Sequence, residues 1–241
     1  ISRRGDDADG AELLRQIEEK NVHSNLLQVD KTQATSLVKV KLDRSGSASY
    51  DIVYPCAWDR IEVEPAALAR VAESDAFIFG SLSTRDEVSR ASLAQLLEQA
   101  KFKIFDVNLR PPHYEIERIL ATMKLADLVK LNDDELHEIA STLGSKYHSL
   151  EQNIRFLADL SGAAKICVTL GSHGAMYYQE GQIYHNSGFR VKVADTVGSG
   201  DSFLAGLTYK LLNAAAPQEA LAFACALGAL VASYHGATPE I

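Results

Sequence analysis

The stretch Phe102–Asn132, FKIFDVNLRPPHYEIERILATMKLADLVKLN, begins and ends on short apolar runs, FKIFDV and ADLVKL, with an amphipathic segment between them. Such runs, bounded by polar residues, read as buried strands, and a helical pattern joining two of them reads as one βαβ unit. The rhythm extends in both directions, to AFIFGS at 76–81 and AKICVTLG at 164–171, again with helical patterns between. Parallel strands require crossovers of this kind, so the chain is expected to be α/β with a mostly parallel sheet.

Upstream, TSLVKVKLDRSGSASYDIVYP at 35–55 behaves differently. Val38, Val40 and Leu42 alternate with polar residues, a Gly/Ser turn follows, and Tyr50, Ile52 and Tyr54 alternate in turn. This predicts a hairpin with one wet face, spanning about 33–57, and a flap of that kind beside a sheet edge serves to exclude water from a reaction. Near the end, Leu204, Leu207 and Leu211 recur at helical spacing, as do Phe223, Leu227, Leu230 and Tyr234, predicting two packed helices. No internal repeat or low-complexity linker marks a boundary, so residues 1–241 read as a single domain.

A hydrophobic fraction of 46% in 241 residues supports a large core and argues against disorder. The net charge of −8, without a long Lys/Arg run, excludes nucleic acid as a partner. Cys56, Cys167 and Cys225 are odd in number, with no CxxC, which fits a reducing cytoplasm better than a disulfide framework or zinc site. No apolar run is long enough to span a bilayer, and ISRRGDDADG lacks the apolar centre of a signal peptide, so no membrane partner is expected.

The chemistry concentrates in DTVGSGDSFLAG, 195–206. Gly198 and Gly200 remove two side chains from a tight turn, letting backbone N–H groups converge on an anion at the positive end of the helix that follows. No Gly-Lys-Ser/Thr follows, which rejects a P-loop, and Phe203 stands where GxGxxG needs its third glycine. A plain glycine turn with Asp201 or Ser202 as helix cap fits the spacing equally well. Ligands of open α/β sheets gather beyond the carboxyl ends of the strands. There the chain places Gly80 and Ser81; Asp106, Asn108 and Arg110; Asn132 and Glu135; and Gly171, Ser172 and Gly174. Each has a structural reading taken singly, Asn132–Glu135 as a helix start, Asp106 as a turn cap, Arg110 as a surface ion pair; their joint placement points to a site.

These residues resemble the ribokinase-like sugar kinases, also called the pfkB carbohydrate kinases. DTVGSGDSF is similar to that family's C-terminal signature, NDDE at 132–135 to its Asn-x-x-Glu element, VTLGSHGA at 168–175 to its nucleotide-side turn, and the segment 1–22 to its early Gly-Asp-Asp…Gly helix. YDIVYPCAWD and FDVNLRPPHY look most like the fructokinase subgroup. The resemblance implies a three-layer αβα sandwich with a small β-lid, and transfer of the γ-phosphoryl group of ATP to a primary sugar hydroxyl, most readily fructose to fructose 6-phosphate. Ribokinase, 2-keto-3-deoxygluconate kinase and a catalytically silent sugar- or nucleotide-binding relative are the alternatives. A dinucleotide-dependent oxidoreductase lacks its glycine fingerprint.

In that reading Asp201 is the base, Gly198, Ser199 and Gly200 form the anion hole, and Arg110 offsets negative charge. Thr169, Gly171 and Gly174 belong to the ATP side with Asn132, Glu135 and Cys225, although a small buried residue is the favoured reading of Cys225. Thr35, Tyr50, Asn108, Arg110 and Asp201 face the sugar. Glu135 would organise Mg²⁺ through water, and Asp195 matches a position that contributes to a monovalent-cation (K⁺) site in relatives. A homodimer through the lid is compatible with Val38, Val40 and Leu42, which could also face their own site. The family's first strand and its Gly-Gly-x-x-x-Asn sugar segment are expected to precede the point where these 241 residues start.

Overall fold

The computed structural model describes residues 1–42 and 48–240, so the Gly/Ser turn expected at 43–47 lies outside the described residues. The chain divides into two compact units, Ile1–Ser74 with Ser83–Ala100, and Asp75–Leu82 with Lys101–Ile241.

In the first unit, β1 (Ser2–Gly5) and β2 (Leu27–Asp30) pair in parallel, joined by α1 (Ala8–Glu19). The side chain of Asp7 caps α1 by accepting the Gly10 N–H at 2.8 Å. β3 (Val38–Leu42) and β4 (Ala48–Ile52) form the antiparallel pair that the alternation predicts, with Val38 opposite Ile52 and Val40 opposite Tyr50. α2 (Pro65–Glu73) and α3 (Glu87–Gln99) complete the unit. Arg85 is buried among them, its Nε and Nη2 donating to the two oxygens of Asp59 at 2.6 and 2.8 Å while its guanidinium lies 4.0 Å from the Trp58 ring centre. A bidentate pair sealed from water in this way is costly to break by removing one partner.

In the second unit, β5 (Phe77–Gly80), β6 (Lys103–Asp106), β7 (Leu128–Asn132) and β8 (Lys165–Thr169) run parallel, and β9 (Ala175–Gln179) and β10 (Gln182–Asn186) add antiparallel strands at one edge. Consecutive residues Ile104 and Phe105, and Leu128 and Val129, are fully buried, so both sheet faces are covered. Strand alternation assigns Ile104, Leu128 and Cys167 to one face, where they pack with α7 (Ser199–Leu212) and α8 (Pro217–Ala232). Their neighbours Phe105, Val129 and Ile166 take the opposite face, the side of α5 (Asp133–Thr142) and α6 (Leu150–Ser161), with α4 (Ile116–Met123) beside α6. The result is an α/β sandwich around a mostly parallel sheet.

α7 and α8 pack against each other, as the two helical periods predict. Phe223, Leu230 and Tyr234 are 40–43% exposed, whereas Ala220, Ala224, Gly228 and Val231 are buried. α7 and α8 approach so closely that a Cβ on Gly228 would lie 3.2 Å from the Ser199 carbonyl oxygen. Small residues carry that approach, and Phe223 and Leu227 close the seam further along, where a Cβ on Gly206 of α7 would lie 3.3 and 3.2 Å from their side chains, so each is only partly covered.

Candidate functional site

The glycine turn becomes the start of α7. Gly198 is its N-cap, in the left-handed region at φ 79°, and a Cβ there would sit 2.2 Å from the Ala237 carbonyl oxygen, so no side chain fits. The capping role expected of Asp201 or Ser202 is thus taken by Gly198; Asp201 lies within the first turn, with its side chain exposed. Of the three expected anion donors, Ser199 is already engaged. Its N–H donates to Thr196 O (3.2 Å) and its hydroxyl to Gly228 O (3.0 Å). The N–H groups of Gly198, Gly200 and Asp201 have no hydrogen-bond acceptor among the described residues. Three open donors at the positive end of a 14-residue helix make a binding place for an anion.

Asn132 and Glu135 form a reciprocal capping box at the start of α5. Asn132 Oδ1 accepts the Glu135 N–H at 2.8 Å, and Glu135 Oε2 accepts the Asn132 N–H at 2.9 Å. The other Glu135 oxygen accepts the Leu109 N–H at 2.7 Å, tying the helix to the segment carrying Asn108 and Arg110. Burial pushes the Glu135 carboxyl above its ordinary range, against the lowering effect of those two N–H donors. Asn108 has φ 43° and is exposed, as is Arg110, whose Nη1 donates to Leu109 O.

A cavity of about 600 Å³ opens beside the α7 turn, and Thr169, Gly171, Gly174, Ser199, Gly200 and Cys225 all line it. Cys225 is buried, which pushes its thiol up to about 11; it is a neutral wall. Phe189, Val193 and Ala229 also line the cavity. Asp195 holds the loop entering the turn, its oxygens accepting the Val197 and Gly236 N–H groups at 3.0 and 3.1 Å, which depress its pKa.

A family model described as pfkB family carbohydrate kinase matches residues 1–241. The chain belongs to this family. It is 30% identical over 257 residues to the fructokinase of Klebsiella pneumoniae, covering 98% of this chain and 80% of that one. Among solved pfkB-like structures, the fructokinase of Xylella fastidiosa with bound ATP superposes with a TM-score of 0.84 at 25% identity, over 98% of this chain and 79% of that one. The aminoimidazole riboside kinase of Salmonella enterica, complexed with aminoimidazole riboside and an ATP analogue, gives 0.78 at 26%, over 98% and 80%.

Within this pfkB chain the structure therefore gathers the α7 turn, Thr169, Gly171, Gly174 and Cys225 around one cavity. Thr35 has a different setting, in the first unit. Its hydroxyl donates to Asp7 Oδ1 (2.7 Å) and accepts the Gly5 N–H (2.9 Å), while its own N–H donates to Asp7 Oδ2 (2.8 Å). It binds the end of β1 to the start of α1, a job the sequence reading did not foresee. Tyr50 stands in β4, and its side chain lies outside the described residues.

Sequence reasoning passed over Lys130, which sits in the apolar run LVKL and reads as a strand residue. Its Nζ donates to Asp106 Oδ1 at 3.0 Å, and both residues are buried. Burial raises the Asp106 pKa, partly offset by Lys130. A lone Lys in a strand buried on both faces was the available signal. The apolar cavity walls at Phe189 and Val193 were missed as well, because they lie in irregular chain without a period. Among the described residues no group of three or more His, Cys, Asp and Glu side chains is placed to hold a metal, and no helix is long and apolar enough to cross a membrane.

Proposed function

We propose that this pfkB chain, read over 1–241 as one kinase domain, transfers the γ-phosphoryl group of ATP to a primary hydroxyl of a small sugar, with fructose as the first candidate. The observation that carries this reading is the α7 turn: three open N–H groups and the Asp201 carboxylate in one helical turn, beside a cavity of about 600 Å³. ATP would occupy that cavity, its base against Cys225 and Ala229 and its phosphates toward Gly198 and Gly200. The sugar hydroxyl oxygen forms a bond to the γ-phosphorus, the bond to the β,γ-bridging oxygen breaks, and ADP leaves with that electron pair. Asp201 takes the hydroxyl proton, and Arg110 offsets charge near the sugar. A loose transition state asks chiefly for alignment and charge stabilisation, which open backbone donors supply without reorganisation.

The donor set fits a magnesium ion carried in with ATP rather than an all-protein cage, since Mg²⁺ retains waters and favours oxygen partners. Glu135 would meet it through water, each of its oxygens already holding one backbone N–H. Magnesium would neutralise phosphate charge. K⁺ at Asp195 belongs to the same reading.

Fructose is favoured by the fructokinase relative at 30% identity, and aminoimidazole riboside stands as the second acceptor through the Salmonella structure. ADP release with ATP and Mg²⁺, measured across fructose, ribose, 2-keto-3-deoxygluconate and aminoimidazole riboside, separates them. Preference for fructose supports the first reading, preference for another acceptor keeps the chemistry and changes the sugar, and no turnover with any of them overturns the kinase assignment.

A further inference from the structure

The cavity beside the α7 turn has a one-sided chemistry. Among the described residues no Asn, Gln, Asp or Glu lines it, and Arg190 is the one charged residue on its wall. Arg190 is exposed and has no hydrogen-bond or ion-pair partner among the described residues. Its place is set by the segment that carries it. At one end a Cβ on Gly188 would lie 3.0 Å from the Gly174 nitrogen, and at the other the Ala194 N–H donates to Ala232 O at 2.9 Å just before the chain enters the α7 turn. Arg190 therefore stands toward the Gly174 end, and the open N–H groups of Gly198 and Gly200 lie beyond the other. A nucleotide with its phosphates on those N–H groups extends its base toward Arg190, between Phe189 and Val193 on one side and Cys225 and Ala229 on the other. A guanidinium offers donors and no acceptor. Guanine presents two acceptors side by side, O6 and N7, which a guanidinium meets with two N–H groups, whereas adenine sets an amino donor beside N7, the pattern that Asn and Gln side chains read. The cavity wall holds the first kind of reader and lacks the second. Adenine keeps a place through the backbone, because the carbonyls of residues 189–193 accept no backbone N–H among the described residues and are open to its amino group.

We propose that Arg190 makes the donor site accept 6-oxopurine nucleotides, GTP first among them, as well as it accepts ATP. The guanidinium donates to O6 and N7 while the ring lies between the apolar walls. The transfer keeps its chemistry: the sugar oxygen bonds the γ-phosphorus, the β,γ-bridging oxygen departs on GDP with the electron pair, and the hydroxyl proton goes to Asp201. This rests on the sugar-kinase reading above and adds to it the class of donor.

The test measures the affinities of ADP, GDP and IDP with Mg²⁺ by titration calorimetry in wild type, Arg190→Ala and Arg190→Gln. The three nucleotides carry the same phosphates, so an arginine that held phosphate, or one that only supported the fold, would shift all three alike and leave their ratios unchanged. Wild type is expected to bind GDP and IDP within about threefold of ADP, or more tightly. Arg190→Ala is expected to lower the GDP-to-ADP and IDP-to-ADP affinity ratios by about tenfold. Arg190→Gln sets an acceptor beside a donor and is expected to lower them at least as far, by holding adenine. GDP weaker than ADP by more than about threefold in wild type overturns the proposal, as does a GDP-to-ADP ratio that Arg190→Ala moves by less than about threefold. It is overturned equally if Arg190→Ala lowers the GDP ratio and leaves the IDP ratio untouched, because the 2-amino group, which IDP lacks, would then be what is read. Turnover with GTP and ATP is followed on fructose, ribose, 2-keto-3-deoxygluconate and aminoimidazole riboside. Turnover with ATP alone sinks the donor proposal and keeps the kinase. Because the ratios are read without a sugar, absence of turnover with every pair would sink the kinase reading while the Arg190 contact is decided separately.

Discussion

Glu135 accepts the N–H of Asn132 with one carboxylate oxygen and the N–H of Leu109 with the other, at 2.9 and 2.7 Å. One buried side chain thus fixes both the start of α5 and the segment that carries Asn108 and Arg110. Glu135→Gln turns an acceptor into a donor that must face one of those two N–H groups. We expect a loss of about 1–3 kcal/mol in stability, together with lower turnover through displacement of Arg110. Denaturant unfolding and kcat measured on the same preparation check it. Wild-type stability in Glu135→Gln would show that the two bonds contribute nothing.

Asp201→Asn keeps the shape of the first turn of α7 and removes the proton acceptor. General-base catalysis is worth about 10²- to 10⁴-fold, so kcat should fall within that range while ADP affinity stays near wild type. Turnover unchanged in this variant removes the base assignment.

Gly198→Ala places a methyl group where the Ala237 carbonyl oxygen stands, at a residue already in the left-handed region. The strained backbone alone is worth about 1–3 kcal/mol, and the collision also moves the open N–H groups. A lower melting temperature and weaker ATP binding are expected together. Normal melting with normal ATP binding would mean that the turn relaxes freely.

Asp30 predicts an acid limb in the stability profile. Its carboxylate accepts the backbone N–H groups of Thr32 and Gln33 and the Thr32 hydroxyl and pairs with Arg3 at 3.1 Å, which together lower its pKa from 3.8 to about 2, the Thr32 backbone bond contributing most. A depressed carboxyl contributes stability that is present above pH ~4 and lost as pH falls through about 2. Asp30→Asn should be less stable than wild type at pH 7 and show a shallower decline between pH 4 and 2. Unfolding midpoints at pH 7, 4, 3 and 2 measure this, and parallel declines in the two proteins would exclude Asp30 as the source.

By itself the sequence determined what short-range pattern controls. The strand runs from Phe77 to Thr169, the β3–β4 alternation and the glycines that open α7 follow from local periodicity and from the need for an L-residue-free turn at Gly198. Tertiary structure decided what depends on contacts between distant segments. It seated Phe223 against Gly206 and Tyr209 of α7 at a half-open edge of the seam, while the closest approach of α7 and α8 falls at Gly228. It joined Thr35 to Asp7 across 28 residues and Glu135 to Leu109 across 26. It also made a strand lysine into the partner of Asp106 beneath the α7 turn. The apolar period of a strand states only that a residue is inside. Which charges it meets there is set by the neighbouring strand and by the helix laid across it.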